Sequence, residues 1–160
     1  MKLTSITTIL TTLLFCIPMS NATAADAPIN VTTRVTIVAM SNSAALQFSA
    51  KQDLSGKPAN ALAALERLVE QKQAVSVANL ALTAGNGING MTSSGKINLN
   101  CTAIASRDGK TANITVVLNN NEHKLMSFVA LSNGTVVFLG SMQRAVDETM
   151  TEYVFARVSY

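Results

Sequence analysis

A mainly β fold of the β-rich α+β kind, an antiparallel sheet or sandwich of hairpins with one amphipathic helix packed on it, is what this 160-residue chain predicts. Three observations point there. Apolar and polar residues alternate with period two over several segments, the dipeptides Asp108-Gly109 and Asn133-Gly134 stand between such segments, and one stretch carries apolar residues at helical spacing. Successive strand side chains point to opposite faces, so a period of two marks a strand with one face buried.

The chain opens on an export signal. Lys2 provides the positive start, Ile6 to Ile17 is a mostly apolar run, and Ala22-Thr23-Ala24 is a small-x-small site that puts cleavage near Ala24. The run is shorter than the roughly 20 apolar residues of a membrane-spanning helix. Cys16 follows Phe15, where lipid attachment needs a small residue, so the later site is preferred. Residues 25–160 are then a single β-rich domain, long enough for one hydrophobic core. Cleavage removes Lys2 and no acid, which lowers the formal charge from +3 to +2. So small and dispersed a charge argues against a nucleic-acid partner. The expected address is the periplasm or the medium, with association with the outer membrane left open.

The elements follow in order. Val31, Thr33, Val35, Ile37 and Ala39 alternate with Asn30, Thr32, Arg34 and Thr36, which predicts the first strand. Ala44 to Ala50 reads as a second, with Leu46 and Phe48 on one face, and the polar stretch from Gln52 to Asn60 reads as a loop. Pro58 in a first turn, followed by Leu62, Leu65 and Val69 on one face, predicts a helix over 58–73. Val75, Val77 and Leu80 to Leu82 form the next strand, and Gly85 to Gly90 is a turn-rich connection. Asp108-Gly109 joins a strand Lys96 to Ala105 to a strand Thr111 to Leu118; Asn133-Gly134 joins Leu125 to Leu131 to Thr135 to Leu139. Both dipeptides tolerate the positive φ of tight hairpins. Asn119 to Glu122 is a polar turn between these hairpins, and Tyr153 to Tyr160 closes the domain.

Few residues suggest chemistry. With Cys16 removed, Cys101 stands alone, which excludes an intramolecular disulfide or a cysteine metal site and suits a small buried strand residue. Glu66 and Glu70, one helical turn apart on the polar face, read as solvated. The glycines at 85, 87 and 90 lack the lysine, hydroxyl and helix of a phosphate loop, since Met91-Thr92-Ser93 follows. His123, the one histidine, reads as a solvated turn residue. Asp147, Glu148 and Glu152 form an acidic group without a recognisable cation-ligand spacing. No catalytic residue, metal ligand or cofactor is therefore assigned.

Several segments resemble the C-terminal domain of bacterial outer-membrane secretins. They are Val35-Thr36-Ile37-Val38-Ala39, the helical stretch Leu62 to Val69, the segment Gln73 to Gly87 with its Val75-Ser76-Val77, the stretch Val129 to Gly140 around Asn133-Gly134, and Glu152 to Val158. Ala78 and Ser141 stand where that family has proline and glycine. The resemblance implies the scaffold of a small free-standing relative, with no pore function carried over.

Contact with a partner is the function class that this composition favours, because exported β domains offer loops and strand edges. The expected binding edges are the first strand, through Val35 and Ile37, and the last, through Tyr153, Phe155 and Tyr160. They would pair with a protein partner or with another copy of the chain. Two other classes stay open: a structural subunit of an outer-membrane pore or fimbria, and a small hydrolase or hydrolase inhibitor. The alternation of Val154, Ala156 and Val158 before Tyr160 suits the last strand of a membrane barrel. Against that stand the central helix and the few aromatic residues, five Phe and two Tyr, available for interfacial girdles.

Overall fold

The computed structural model describes residues 29–120, 123–144 and 147–160. The export signal expected over residues 1–24, with Ala24 at its end and Cys16 inside it, lies outside these residues. Eight strands and two helices succeed one another among them. They are β1 (Asn30–Ser41), α1 (Asn42–Lys51), α2 (Pro58–Glu70), β2 (Val75–Gly85), β3 (Asn89–Ser94), β4 (Ile97–Ala105), β5 (Thr111–Asn120), β6 (His123–Ser132), β7 (Val136–Arg144) and β8 (Asp147–Ser159). The strands form two antiparallel four-stranded sheets, one ordered β2-β1-β8-β7 and the other β3-β4-β5-β6. The predicted β-rich sandwich is what the chain forms.

Alternation along each strand explains the layers. Val31, Val35 and Ile37 of β1 and Val154, Ala156 and Val158 of β8 point into the space between the sheets. There they meet Leu99, Cys101 and Ala103 of β4 and Ile114, Val116 and Leu118 of β5. The opposite face of the first sheet carries Val38, Met40, Tyr153 and Phe155, and the two helices cover it. The β2-β1-β8-β7 sheet is thus a middle layer with apolar groups buried on both sides.

This arrangement corrects the expected binding edges. β1 is hydrogen-bonded to β2 on one side and to β8 on the other, and β8 lies between β1 and β7. Val35, Ile37, Tyr153 and Phe155 are almost fully buried, and Tyr160, just past β8, packs partly against the inter-sheet core. The run Tyr153-Val154-Phe155-Ala156 is apolar at every position, as in a strand covered on both faces, and a half-exposed edge would not tolerate it. The outer strands of the two sheets are instead β2 and β7, and β3 and β6. β2 also lies against β3, and β6 against β7.

The residues expected to form a strand from Ala44 to Ala50 are helix α1. They include no β-branched side chain, alanine and other good helix formers dominate, and the Ser41 hydroxyl accepts from the Ala44 N–H at 3.4 Å to cap the first turn. Leu46 and Phe48 do not share a face: Phe48 is buried and Leu46 projects into solvent. Tyr153 docks this helix. Its hydroxyl donates to the Ala45 carbonyl at 2.9 Å and lies 2.7 Å from the Ser49 hydroxyl, while its ring meets Phe48 edge-on at 5.5 Å between centroids.

The helix predicted over 58–73 spans Pro58–Glu70, with Pro58 in its first turn and Ala61, Leu62 and Leu65 buried. Its end is a Schellman motif. The Lys72 N–H bonds the Val69 carbonyl at 3.0 Å and the Gln73 N–H bonds the Leu68 carbonyl at 2.8 Å, with Lys72 left-handed at φ 63°.

Two further segments differ from expectation. β3 falls partly within the expected turn-rich connection. Its inward positions are Gly90 and Thr92, so it has no apolar alternation to read, and Leu82 of β2 fills the space instead; a Cβ on Gly90 would lie 2.9 Å from Leu82 Cδ2. Asn119 and Asn120, expected in a turn, extend β5, while Asn121 and Glu122 lie outside the described residues. Asp108-Gly109 does close the β4–β5 hairpin, with hydrogen bonds from the Ser106 hydroxyl and the Lys110 N–H holding the Asp108 carboxyl below the usual carboxylate range. Asn133-Gly134 turns the chain as expected, with Gly134 at φ 76°, but it joins strands of different sheets. The Gly134 N–H bonds the Val158 carbonyl at 2.7 Å, and the Asn133 amide donates to the Tyr160 carbonyl at 2.8 Å. That turn is therefore tied to the end of β8.

Tyr153→Phe removes the bonds that seat α1 and is expected to cost about 1–2 kcal/mol of unfolding free energy, measured by urea denaturation. Lys72→Gly relieves the left-handed residue and is expected to stabilise by about 0.5–1 kcal/mol in the same measurement.

Candidate binding surfaces

The outer face of the β3–β6 sheet is built by the residues that alternate with its core. Leu99, Cys101 and Ala103 point inward from β4, so Asn100, Thr102 and Ile104 point outward. Register then lines up Met91, Asn100, Val117 and Met126 across the four strands, with Asn89, Thr102, Thr115 and Phe128 in the neighbouring row. Ile104, Asn113 and Ala130 make a third, shorter row. Met91 is 72%, Met126 67%, Phe128 71% and Ile104 55% exposed. The surrounding side chains are Asn and Thr, and the charge on these rows' flank is Lys124, opposite Asn119 at one corner. Large apolar side chains thus share a nearly uncharged face with side-chain amides and hydroxyls.

The helical layer presents a different surface. A cleft of about 400 Å³ opens between α1 and α2 above the end of β1. Met40, Phe48 and Leu68 supply apolar walls, and Lys51, Arg67 and four glutamines line the remainder. A smaller cavity of about 170 Å³ lies along the other side of α2, with Arg34 and Arg157 from directly opposed positions of β1 and β8, and Glu66 from the helix.

The reactive side chains do not converge. Cys101 is buried between the sheets, 3.4 Å from the Thr33 hydroxyl, and burial raises its pKa against the opposing effect of that hydrogen bond. This matches the expected packing role for a lone thiol. His123 stands at the start of β6, exposed, with its backbone N–H bonded to the Asn120 side chain at 2.8 Å. Cys101 pairs with Val116 and Val116 with Ser127, so His123 lies two strands away and four positions along. Glu66 and Glu70 are exposed on α2, as expected. Glu152 is buried at 2% exposure and engaged with other groups, while the side chains of Asp147 and Glu148 lie outside those described. Among the described residues, no group of three or more His, Cys, Asp or Glu is placed to hold a metal ion.

The glycine-rich segment serves the fold. The Asn86 side chain accepts from the Ala105 N–H at 2.7 Å and the Gly87 N–H bonds the Ala103 carbonyl at 2.8 Å, which pins the β2–β3 turn to β4. The exposed sheet face was the feature that sequence reading missed. Its signal was present in the wrong-phase residues of the predicted strands: Met126 and Phe128 alternate with the inward set Leu125, Ser127 and Val129.

By architecture the chain is a β-rich α+β sandwich with a helical layer on one sheet. No protein-family model matches it, and neither does any curated protein or solved structure.

The neutral form of Cys101 is favoured by folding, so its stabilising contribution is complete below the unfolded-state value, about 8.5, and is lost as pH rises through the higher folded-state value. The wild-type chain is expected to lose more stability than Cys101→Ala between neutral and strongly alkaline pH. Urea melts of both proteins across that range check this, and thiol labelling should be slow until the chain unfolds.

Proposed function

We propose that this chain is an exported, non-enzymatic domain that acts by protein–protein contact through the outer face of the β3–β6 sheet. The observation that carries the reading is the grouping of Met91, Ile104, Met126 and Phe128, all more than half exposed, on a face with almost no charge. Water penalises exposed apolar area, and the cores of protein interfaces are enriched in Met and aromatic residues and depleted of charge. Such a patch marks an interaction site.

The occupant we assign is a second copy of the chain. Two such faces bring no opposing rows of like charge together, and two sheets can stack about 10 Å apart with their side chains interdigitated. Four strands about 4.8 Å apart and about eight residues long present about 500 Å², so a symmetric pair buries about 1,000 Å². That lies at the lower bound for a specific interface. The dimer is therefore concentration-dependent, as suits an assembly that forms where the protein accumulates.

Export belongs to the same proposal. It is supported by Lys2, the apolar run and the Ala22-Thr23-Ala24 site, and a buried lone thiol suits an oxidising compartment. The likeness to the secretin C-terminal domain enters as one of scaffold alone, and outer-membrane association would follow from what the assembled face contacts.

Sedimentation velocity over a range of concentrations tests the contact. The wild-type domain is expected to dimerise, Phe128→Asp to weaken the dimer by at least about tenfold, and Glu70→Gln on the helical layer to leave it unchanged. A wild-type domain that stays monomeric throughout overturns the proposal, provided circular dichroism shows it folded. Cell fractionation with protease protection tests export: the processed chain should appear outside the cytoplasm, and retention of the full-length chain inside would sink that part.

A further inference from the structure

The cleft between α1 and α2 has the make-up of a small-molecule site, and we infer that it binds an amphipathic carboxylate, an unbranched apolar chain ending in a single anionic group. Its volume of about 400 Å³ falls within the usual range of ligand pockets, about 300–1,000 Å³. Met40 and Phe48 form a buried apolar floor and Leu68 one wall. Methionine and phenylalanine together suit a flexible alkyl chain, because the thioether adapts its shape and the ring supplies a flat, rigid contact.

The charge around this floor has one sign. Lys51 and Arg67 line the cleft from the last turns of their helices, and no acidic side chain lines it. A helix C-terminus carries about half a negative charge, which opposes an anion, so the two effects have to be compared. Two full positive charges exceed two half charges. Part of the opposing dipole is also spent internally, since the Gln52 N–H bonds the Phe48 carbonyl and the N–H groups of Lys72 and Gln73 bond the last carbonyls of α2. The side chains that line the mouth thus favour an anion, while the floor favours its tail. A carboxylate accepts hydrogen bonds from an ammonium, a guanidinium and a glutamine amide, all of which are present.

The cleft lies on the helical layer, across the middle sheet from the face assigned to self-association, and the two inferences stand or fall separately. Isothermal titration of the folded domain with decanoate, below its micellar concentration, tests this one. Saturable binding at one site is expected. Decanol, which has the tail without the charge, and acetate, which has the charge without the tail, should each bind at least about tenfold more weakly. The double substitution Lys51→Gln with Arg67→Gln should weaken decanoate by a similar factor, and Ala64→Leu, which fills the cleft, should do the same with the charges intact. Phe128→Asp should change nothing. Absence of decanoate binding overturns the inference, as does binding that is indifferent to the double substitution or to Ala64→Leu.

Discussion

The antiparallel pairing of β1 with β8 is the constraint on which the remaining structure depends. It runs in continuous register from Thr32 opposite Ser159 to Ser41 opposite Met150. It brings together the two ends of the described domain, and the entropy of closing so long a loop grows only as the logarithm of its length. The burial that follows is large by comparison. Both strands carry apolar groups on each face, so the pair supplies the centre of one wall of the inter-sheet core and, with Val136 and Phe138 of β7, the floor of the helical layer. Removing this pairing would leave α1 without Tyr153 and the β4–β5 hairpin without a partner sheet.

A middle layer of this kind removes β1 and β8 from the sheet edges, which are β2, β7, β3 and β6. Edge binding uses unpaired backbone groups, but in β1 and β8 those groups already serve the sheet. The two outer layers present side-chain surface, and these surfaces differ in character. The outer β3–β6 face carries Met91, Ile104, Met126 and Phe128 among amides and hydroxyls and is nearly uncharged, the basis of the proposed self-contact. The helical layer holds a cleft lined by Lys51 and Arg67, the basis of the proposed anion site. The sheet face arises from the same alternation that builds the core: inward residues hold the sandwich and their outward neighbours form the surface.

Legibility in the sequence followed the locality of the forces. The β1 alternation, the α2 stripe of Leu62 and Leu65, and the Asp108-Gly109 and Asn133-Gly134 turns depend on neighbours within a few residues, and all could be read directly. α1 is less legible: the spacing of Leu46 and Phe48 fits a strand, and only the absence of β-branched residues and the cap at Ser41 mark a helix. β3 offers no apolar alternation to read, because its packing comes from Leu82 on another strand. The sheet face is a tertiary feature for a related reason: Met91, Ile104, Met126 and Phe128 stand on three different strands, β3, β4 and β6, and become a patch only when register aligns them.

By itself, the sequence determined the β-rich class, the approximate strands, the α2 helix, the turn chemistry and the burial of the lone thiol, because these rest on periodicity, local backbone preference and side-chain polarity. The tertiary structure alone decided that the first and last strands lie side by side in a doubly covered sheet, that Asn133-Gly134 crosses between sheets, and which residues remain exposed together. Those outcomes depend on long-range pairing and on packing of one layer against another. The same alternating strand fits an edge or a centre equally well until its neighbours are in place.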